Sequence, residues 1–300
     1  MDAYLPTNDL LFKKTFTSKG HEHILLGFIE DVLGENFERV YTNEPYNIKA
    51  YDFKKLSKTE VDILAETNTG DLVTIEMQVQ PHSYFIERTL FYLFVAYTKR
   101  YNVKHTEKGQ QRPYHSLRKT YGINITRFNL FEAESSAIRH FVLKDQQNGI
   151  PLAQYDVRDI QASYFSLTNP HVPNPHIEDW QDFFLGRPLR AEAPDYIHDA
   201  KTIAQNENLS KEERTMVDAI AKYEAIQMER DADNIEKGRE EGLQEGREVG
   251  RLEGREEERK LAEEKMRQTI RQLAKMNLTP AQIAQAVAWP EEKIKQVLAE

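Results

Sequence analysis

The chain has 300 residues, of which 39% are hydrophobic and 10% aromatic, so it can build a sizeable core in one large domain with an appendage, or in two domains. The absence of cysteine excludes disulfides and thiolate metal sites, and the net charge of −9 argues at first against nucleic acid as a partner. No cationic-then-apolar signal segment opens the chain, and the longest apolar run, Leu90–Tyr97, is far shorter than the ~20 residues of a membrane span. We therefore expect a soluble, cytoplasmic protein.

The first elements in chain order are two helices. Thr7 or Asn8 can cap the first of them, because short polar side chains accept hydrogen bonds from the first free backbone N–H groups of a helix. The second helix is predicted from about Glu22 to Leu33 and ends near Gly34. A strand near Asn47–Tyr51 is predicted to precede the next element.

The segment Glu60–Gln80 is predicted to form a tight β-hairpin, since apolar and polar residues alternate along both of its arms. Its turn is 68–70, where Gly70 can adopt the left-handed conformation that a three-residue loop requires. Counting back from the turn places Asp62 opposite Glu76 on one face. Directly opposed side chains have Cβ atoms roughly 4.5–5.5 Å apart, so these two carboxylates repel each other unless a cation lies between them.

This pair of acids predicts a site for a divalent cation. Gln78 lies two residues after Glu76 and shares its face of the strand. Two carboxylates bind a hard cation such as Mg²⁺, and a third polar group can orient water, which is what phosphodiester hydrolysis needs. The alternative is a hairpin that carries acids on a solvated face.

The segment His82–Tyr101 is predicted to be a buried helix, because apolar residues occupy nearly every side of it. Arg88 lies within this helix, one turn before Tyr92. A buried arginine usually pairs with a carboxylate or a phosphate. We therefore consider a contact of Arg88 with the scissile phosphate or with Glu76, and, as the alternative, a structural ion pair.

A basic stretch follows this helix. Seven cations stand against the single acid Glu107 between residues 99 and 119, a local balance of +6 (seven minus one), and tyrosines are interleaved with them. Cations and aromatic rings together suit phosphate contacts and base stacking, whereas the alternative is a solvated basic loop. The cations are Lys99, Arg100, Lys104, Lys108, Arg112, Arg118 and Lys119, and a smaller cluster, Lys54, Lys55 and Lys58, precedes Asp62.

Further strands are predicted at Gly122–Phe131, Ile138–Leu143 and Asp159–Leu167. The three prolines of Asn169–His176 predict a loop, and the aromatic residues from Trp180 onward predict a short helix that closes the core.

Beyond a boundary near 190–194 the chain is helical and highly charged. Five glycines recur four residues apart, from Gly238 to Gly254, and each costs a helix ~1 kcal/mol relative to alanine. The segment is either a flexible tether or a bare helix edge that pairs with another chain. The last part, Thr279–Glu300, is predicted to be a pair of short helices. It is reminiscent of half a helix-turn-helix, but its acids favour a docking module.

Several of these motifs together resemble a known family. Asp62 followed by Glu76-Met77-Gln78 is similar to the active-site hairpin of the PD-(D/E)XK nuclease superfamily. The opening Thr7–Phe16, the helix with Arg88 and Tyr92, and the glycine-punctuated tail resemble the recombination-promoting nuclease (Rpn) family of nucleases and transposases within it.

The resemblance implies an α/β fold, with a restriction-endonuclease-like core of mixed sheet flanked by helices and an all-α C-terminal extension. It implies that Asp62, Glu76 and the backbone carbonyl of Met77 hold Mg²⁺, for which Mn²⁺ would substitute. Gln78 stands where the superfamily usually has lysine. Glutamine cannot act as a base at neutral pH, so it would position water whose activation falls to the metal or to a nearby cation.

The sequence thus predicts a metal-dependent DNA endonuclease, linked to recombination, mobile elements or phage defence. The alternatives are a non-catalytic nucleic-acid-binding, oligomerising protein on the same fold, and a nuclease that cuts RNA. The predicted partners are DNA and further copies of the chain, joined through the helical tail. The predicted catalytic residues are Asp62, Glu76 and Gln78, the substrate-binding residues are Arg88, Tyr92, Lys99, Arg100, Lys104 and Arg112, and further site residues are Asp9 and Lys13.

Four parts of the chain are expected. Residues 1–190 form the nuclease-like domain and 191–235 a helical connector. Residues 236–275 form the glycine-repeat helix or tether, and 276–300 the helix-pair module.

Overall fold

The structure is a computed structural model that describes residues 4–42, 44, 46–47, 61–101, 113–132, 134–155 and 157–300. The chain divides into two units, Met1–Glu224 and Ala225–Glu300. The helices are α1 Asp9–Thr17, α2 Glu22–Leu33, α3 Phe85–Thr98, α4 Pro175–Phe184, α5 Asp195–Ala204, α6 Lys211–Lys275, α7 Pro280–Val287 and α8 Glu291–Ala299. The strands are β1 Val40–Thr42, β2 Ile63–Thr67, β3 Leu72–Gln78, β4 Thr120–Thr126, β5 Ile138–Val142 and β6 Ile160–Ser166.

The first unit is built on one mixed sheet with the strand order β1-β2-β3-β4-β6-β5. The central strands β3, β4 and β6 are parallel, and the outer pairs are antiparallel. Helices cover both faces, as parallel strands require when they are buried on both sides. The predicted α/β class, with a mixed sheet, flanking helices and a helical C-terminal extension, is confirmed.

The main core lies on the face covered by α1, α2, α4 and α5. Trp180 is fully buried at its centre, where its ring contacts Phe16, Phe28 and Tyr196. The Trp180 indole N–H donates to Asp31 Oδ2 at 2.8 Å, and the Tyr196 hydroxyl donates to the same oxygen at 2.8 Å. The polar edges of both rings are therefore satisfied within an apolar environment.

The helix α3 covers the opposite face of the sheet. Phe85, Leu93 and Ala96 of this helix are buried against the sheet. The packing is close, because a Cβ built on Gly122 of β4 would lie 3.5 Å from Leu93 Cδ1. The prediction that this helix is buried on nearly every side was wrong, because Phe91 is 60% and Phe94 50% exposed. Only the inner face of α3 packs against the sheet.

Element boundaries also differ from those predicted. The strand predicted over 122–131 ends at Thr126, and the helix near Trp180 begins earlier, at Pro175, because Asn174 caps it by accepting from the Ile177 N–H at 3.1 Å. The strand predicted at 47–51 falls largely outside the described residues. The strand that pairs with β2 is instead β1.

The first unit continues past the boundary predicted near 190. The helix α5 buries Ile197 and Ala200 in the main core. The start of α6 packs against α1, with Val217 and Ile220 buried against Leu10 and Leu11. Polar contacts add to this packing, since Lys14 Nζ lies 3.0 Å from Glu213 Oε2 and the Tyr46 hydroxyl donates to Glu213 Oε1 at 2.8 Å.

The second unit contains the rest of α6 and the predicted helix pair, which is confirmed as α7 and α8. Thr279 caps α7 in a reciprocal arrangement with Gln282, the capping box. Ile270 of α6 is fully buried with Ile283 of α7 and Ile294 of α8. These contacts make a small helical module at the end of α6. No helix in the described part of the chain is both long and apolar enough to cross a membrane.

The glycine repeat lies within the continuous helix α6. A Cβ built on each of its five glycines would meet no atom within 4 Å, so alanine fits there without a clash. Replacing all five glycines by alanine should raise the midpoint of thermal helix loss, because each substitution stabilises a helix by ~1 kcal/mol. Far-UV circular dichroism measures this midpoint.

A matched control for that substitution is Gly34→Ala. Gly34 ends α2 at φ 67°, where a side chain is strained, so this variant should be destabilised. An unchanged or lower midpoint in the five-alanine variant would contradict the finding that there is free space around the five glycines. It would indicate that the glycines contact another helix.

Candidate functional site

The predicted hairpin register is confirmed. Residues Glu66 and Leu72 are partners, as are Leu64 and Thr74, and the turn glycine has φ 84°. The Met77 backbone N–H donates to Asp62 Oδ2 at 2.9 Å. Continuing the register places Asp62 beside Glu76, on the face that α3 covers.

Glu76 is unusually buried for a carboxylate. It is only 5% exposed, and its Oε1 has no hydrogen-bond partner among the described residues. Asp62 is partly exposed at the start of β2. The alternative of a solvated acidic face is therefore wrong at Glu76. An unsatisfied buried carboxylate oxygen costs free energy unless a proton or a cation compensates it.

Both carboxylates have raised pKa values. Burial and then the negative charge of Asp62 raise the pKa of Glu76 well above that of an ordinary carboxyl group. Burial and the charge of Asp9 likewise raise the pKa of Asp62, although Lys13 and the Met77 N–H act in the opposite direction. The site thus favours either a bound proton or a bound cation.

The helix α1 places a cation at this acidic pair. Lys13 Nζ lies 3.1 Å from Asp9 Oδ1, one helical turn away. Burial lowers the pKa of Lys13, but the negative charges of Asp9, Asp62 and Glu76 outweigh this effect, so the pKa is raised. Both residues predicted from the opening segment therefore lie within electrostatic reach of the hairpin acids.

The helix α3 contributes Arg88 and Tyr92. Arg88 Nη2 donates to Gln78 Oε1 at 2.5 Å, while Arg88 Nε is buried with no hydrogen-bond partner among the described residues. The charge of Arg88 opposes the rise in the pKa of Glu76. Tyr92 is 7% exposed, and burial followed by the charge of Glu76 raises its pKa. Among the described residues, Arg88 makes this hydrogen bond to an amide and no salt bridge, so the structural ion pair stays an untested alternative.

Other predicted substrate-binding residues lie away from the acids or outside the described residues. Arg100 pairs with Glu66, close to the hairpin turn. Glu66 and Asp62 are four residues apart on the strand, which is ~13 Å. Lys99 is exposed at the end of α3, and Lys104 and Arg112 are outside the described residues, as is the cluster Lys54, Lys55 and Lys58.

Glu224 is an acidic residue near the site that the sequence reasoning did not identify. Burial raises its pKa to about 7, and the charge of Asp9 adds to the rise. Glu224 lies on α6, among so many charged residues that nothing in the sequence singles it out.

The donor set suits a divalent cation, although it is small. No group of three or more His, Asp or Glu side chains that could hold a metal occurs in the described part of the chain. The ligands on offer are the carboxylates of Asp62 and Glu76 and the backbone carbonyl of Met77, all of them the hard oxygens that Mg²⁺ prefers. The unpartnered Oε1 of Glu76 is the specific feature that a cation would satisfy.

The raised pKa values predict an unusual pH dependence when metal is removed. Above the ordinary carboxyl pKa of 4.5, the folded state retains protons that the unfolded state has lost, so the free energy of unfolding should fall as pH rises. Glu76→Gln should remove most of this fall. The check is the thermal unfolding midpoint of both proteins in EDTA, from about pH 5 upward. Parallel pH profiles would contradict the expectation.

A comparison with protein families gives one result. The model of a family described as PD-(D/E)XK nuclease family transposase matches residues 6–245, most of the chain. This match covers α1, the hairpin, α3 and the beginning of the glycine repeat. Neither the curated proteins nor the solved structures gave a significant match.

Proposed function

Since the chain belongs to the family of PD-(D/E)XK nuclease transposases, we propose that it is a metal-dependent endonuclease that hydrolyses phosphodiester bonds in DNA. The observation that carries this proposal is the buried Oε1 of Glu76, which finds no hydrogen-bond partner in the described part of the chain and lies beside the carboxylate of Asp62. A buried carboxylate beside a second carboxylate is unfavourable by itself, and a divalent cation between them makes the arrangement favourable.

In this proposal Asp62, Glu76 and the Met77 carbonyl hold Mg²⁺, and Mn²⁺ can replace it. When bound, the ion supplies positive charge that stabilises the phosphate in the transition state and lowers the pKa of water. The Met77 N–H fixes the orientation of Asp62 through its 2.9 Å hydrogen bond. This hydrogen bond leaves the other oxygen of Asp62 available to the ion.

The remaining groups position water and phosphate. Gln78 Oε1 accepts from Arg88, so the groups of its amide left for holding water are the N–H donors and the second lone pair of Oε1. Arg88 retains N–H donors, including Nε, for a phosphate oxygen. Lys13 supplies the cation that the superfamily lysine supplies elsewhere. Lys99, Lys104 and Arg112 are proposed to contact DNA, and Arg100 to do so in competition with Glu66.

The test is plasmid nicking by the purified chain with Mg²⁺, with Mn²⁺ and with EDTA, using RNA as a competing substrate. Nicking that needs the cation and is unaffected by RNA supports the proposal. Nicking that continues in EDTA would refute metal dependence. Preferential cleavage of RNA would reassign the substrate.

A non-catalytic DNA-binding protein is the second candidate, and one contact favours it. The residue in the position of the usual lysine, Gln78, is neutral and held by Arg88, so the catalytic base is missing from that position. In this case the chain would retain DNA on a filter without cutting it under any of the metal conditions.

We also propose that copies of the chain assemble through the tail. The family description links the protein to transposition, so roles in recombination, mobile-element movement or phage defence in the cytoplasm follow as proposals.

A further inference from the structure

The outer face of α3 is apolar and exposed. The outer face of α3 is defined here as six residues that lie on one side of the helix, spaced by one to four positions: Tyr84, Glu87, Phe91, Phe94, Val95 and Thr98. Tyr84 is 76% exposed, Phe91 60%, and Phe94 and Val95 50% each. Single exposed apolar residues are ordinary, but a contiguous stripe that contains two phenylalanines is typical of an interaction surface.

The stripe does not result from poor packing of α3 on the sheet. The inner face is complete, since Phe85, Leu93 and Ala96 are buried and the Thr89 hydroxyl lies 2.8 Å from the Tyr164 hydroxyl. Rotating the helix to hide Phe91 would therefore expose these residues. The outer stripe must be covered by something other than the sheet beneath α3.

Two opposite charges, Glu87 and Lys99, flank Phe91, Phe94 and Val95 along the helix. Glu87 lies in the first turn of α3 and Lys99 follows its last residue. Both are exposed, and the described part of the chain shows no ion pair for either. Twelve residues separate them (99 − 87), which is ~18 Å along a helix. An apolar centre between an acidic and a basic end is complementary to itself when turned around.

We infer that the occupant of the outer face of α3 is the same face of a second copy of the chain, packed antiparallel about a two-fold axis. The axis crosses between the two helices at the level of residue 93, midway along α3 between the two charges. Glu87 then lies opposite Lys99 of the partner subunit, and Phe91 lies opposite Val95 of the partner subunit. Both charge pairs form at once, as an isologous interface requires. This inference does not depend on the endonuclease proposal.

The charges argue against other occupants. No lysine or arginine belongs to the outer face between its two ends, because Arg88 turns toward Gln78. Glu87 would repel both a phosphate backbone and an anionic lipid surface. A second copy is the partner whose charges match.

One helix per copy makes a small interface, below the ~1,200–2,000 Å² of stable complexes, so the dimer should be in concentration-dependent equilibrium. Sedimentation velocity of the full chain at rising concentration tests this. The double variant F91E/F94E should lose the concentration-dependent rise in sedimentation coefficient. Because both rings are exposed, its thermal unfolding midpoint should remain close to that of the native chain.

A charge exchange distinguishes this contact from pairing through the tail. Glu87→Lys and Lys99→Glu should each weaken dimerisation, since each variant places two like-charged pairs across the axis. The double variant E87K/K99E should restore it. Failure of the double variant to restore dimerisation would overturn the proposed register.

The absence of cysteine allows a direct test of proximity. A mixture of Glu87→Cys and Lys99→Cys chains should form a disulfide-linked dimer on mild oxidation, whereas either variant alone should link at least ~10-fold less, because like positions lie ~18 Å apart. A mixture of Lys99→Cys with Thr202→Cys, on the exposed side of α5, is the matched control. Equal linking in both mixtures, or none in the first, would overturn the inference. Loss of vesicle or DNA binding by F91E/F94E with unchanged sedimentation would also overturn it and assign the face to that ligand.

Discussion

Asp62→Asn should abolish plasmid nicking. The substitution keeps the shape of the side chain and removes the charge that, with Glu76, makes the site attractive to a cation. A bound metal ion contributes several kcal/mol to phosphoryl transfer and ~1.4 kcal/mol corresponds to tenfold in rate, so a loss of at least ~100-fold is expected. The measurement is the initial rate of supercoil loss at saturating Mg²⁺.

Glu66→Gln is the matched control for this variant. Glu66 lies on the same strand and the same face, four residues from Asp62, but its carboxylate pairs with Arg100 near the turn. Nicking by this variant should not fall, because the loss of the Glu66 charge only frees Arg100 for DNA. Equal rates for Asp62→Asn and the native chain would point to a contaminating nuclease. Equal losses in both variants would indicate a general defect of the hairpin.

Trp180→Ala should produce the largest loss of stability. The ring is fully buried among aromatic neighbours, and truncating such a side chain costs ~3–5 kcal/mol through lost contacts and the cavity left behind. The variant also removes the indole donor to Asp31. Urea unfolding followed by circular dichroism should show an earlier transition for the first unit.

Trp180→Phe separates the two contributions to this loss. It keeps an aromatic ring in the core but removes the hydrogen bond to Asp31, so it should cost less than alanine. His176 Nδ1 and the Tyr196 hydroxyl still contact Asp31, each at 2.8 Å. A transition for Trp180→Ala that coincides with the native one would show that the core tolerates the cavity.

The hairpin was predictable from sequence because its signals are local. Alternation with period two fixes which residues share a face, and one glycine at the turn fixes the register. From these two rules follow the placement of Asp62 beside Glu76 and the positions of its neighbours. Burial of Glu76 did not follow, because it depends on α3, which covers that face from elsewhere in the chain.

Contacts between distant elements were not predictable in the same way. The apolar residues of α3 indicated a buried helix, but hydrophobicity alone cannot distinguish a face covered by the sheet from one left exposed. The approach of Lys13 to the acids was expected from family resemblance only. The hydrogen bond between Arg88 and Gln78 depends on how α3 crosses β3, which no local pattern encodes.

The packing of α6 on α1 sets a lower limit on the length of any autonomous catalytic fragment. A fragment that ended near residue 190 would lack Val217 and Ile220. Leu10 and Leu11 of α1 would then be exposed to solvent, next to Asp9 and Lys13 on the same helix. The beginning of the long helix therefore covers the apolar residues of α1, the helix that carries Asp9 and Lys13. We expect the first unit to keep its fold only in truncations that end after Glu224.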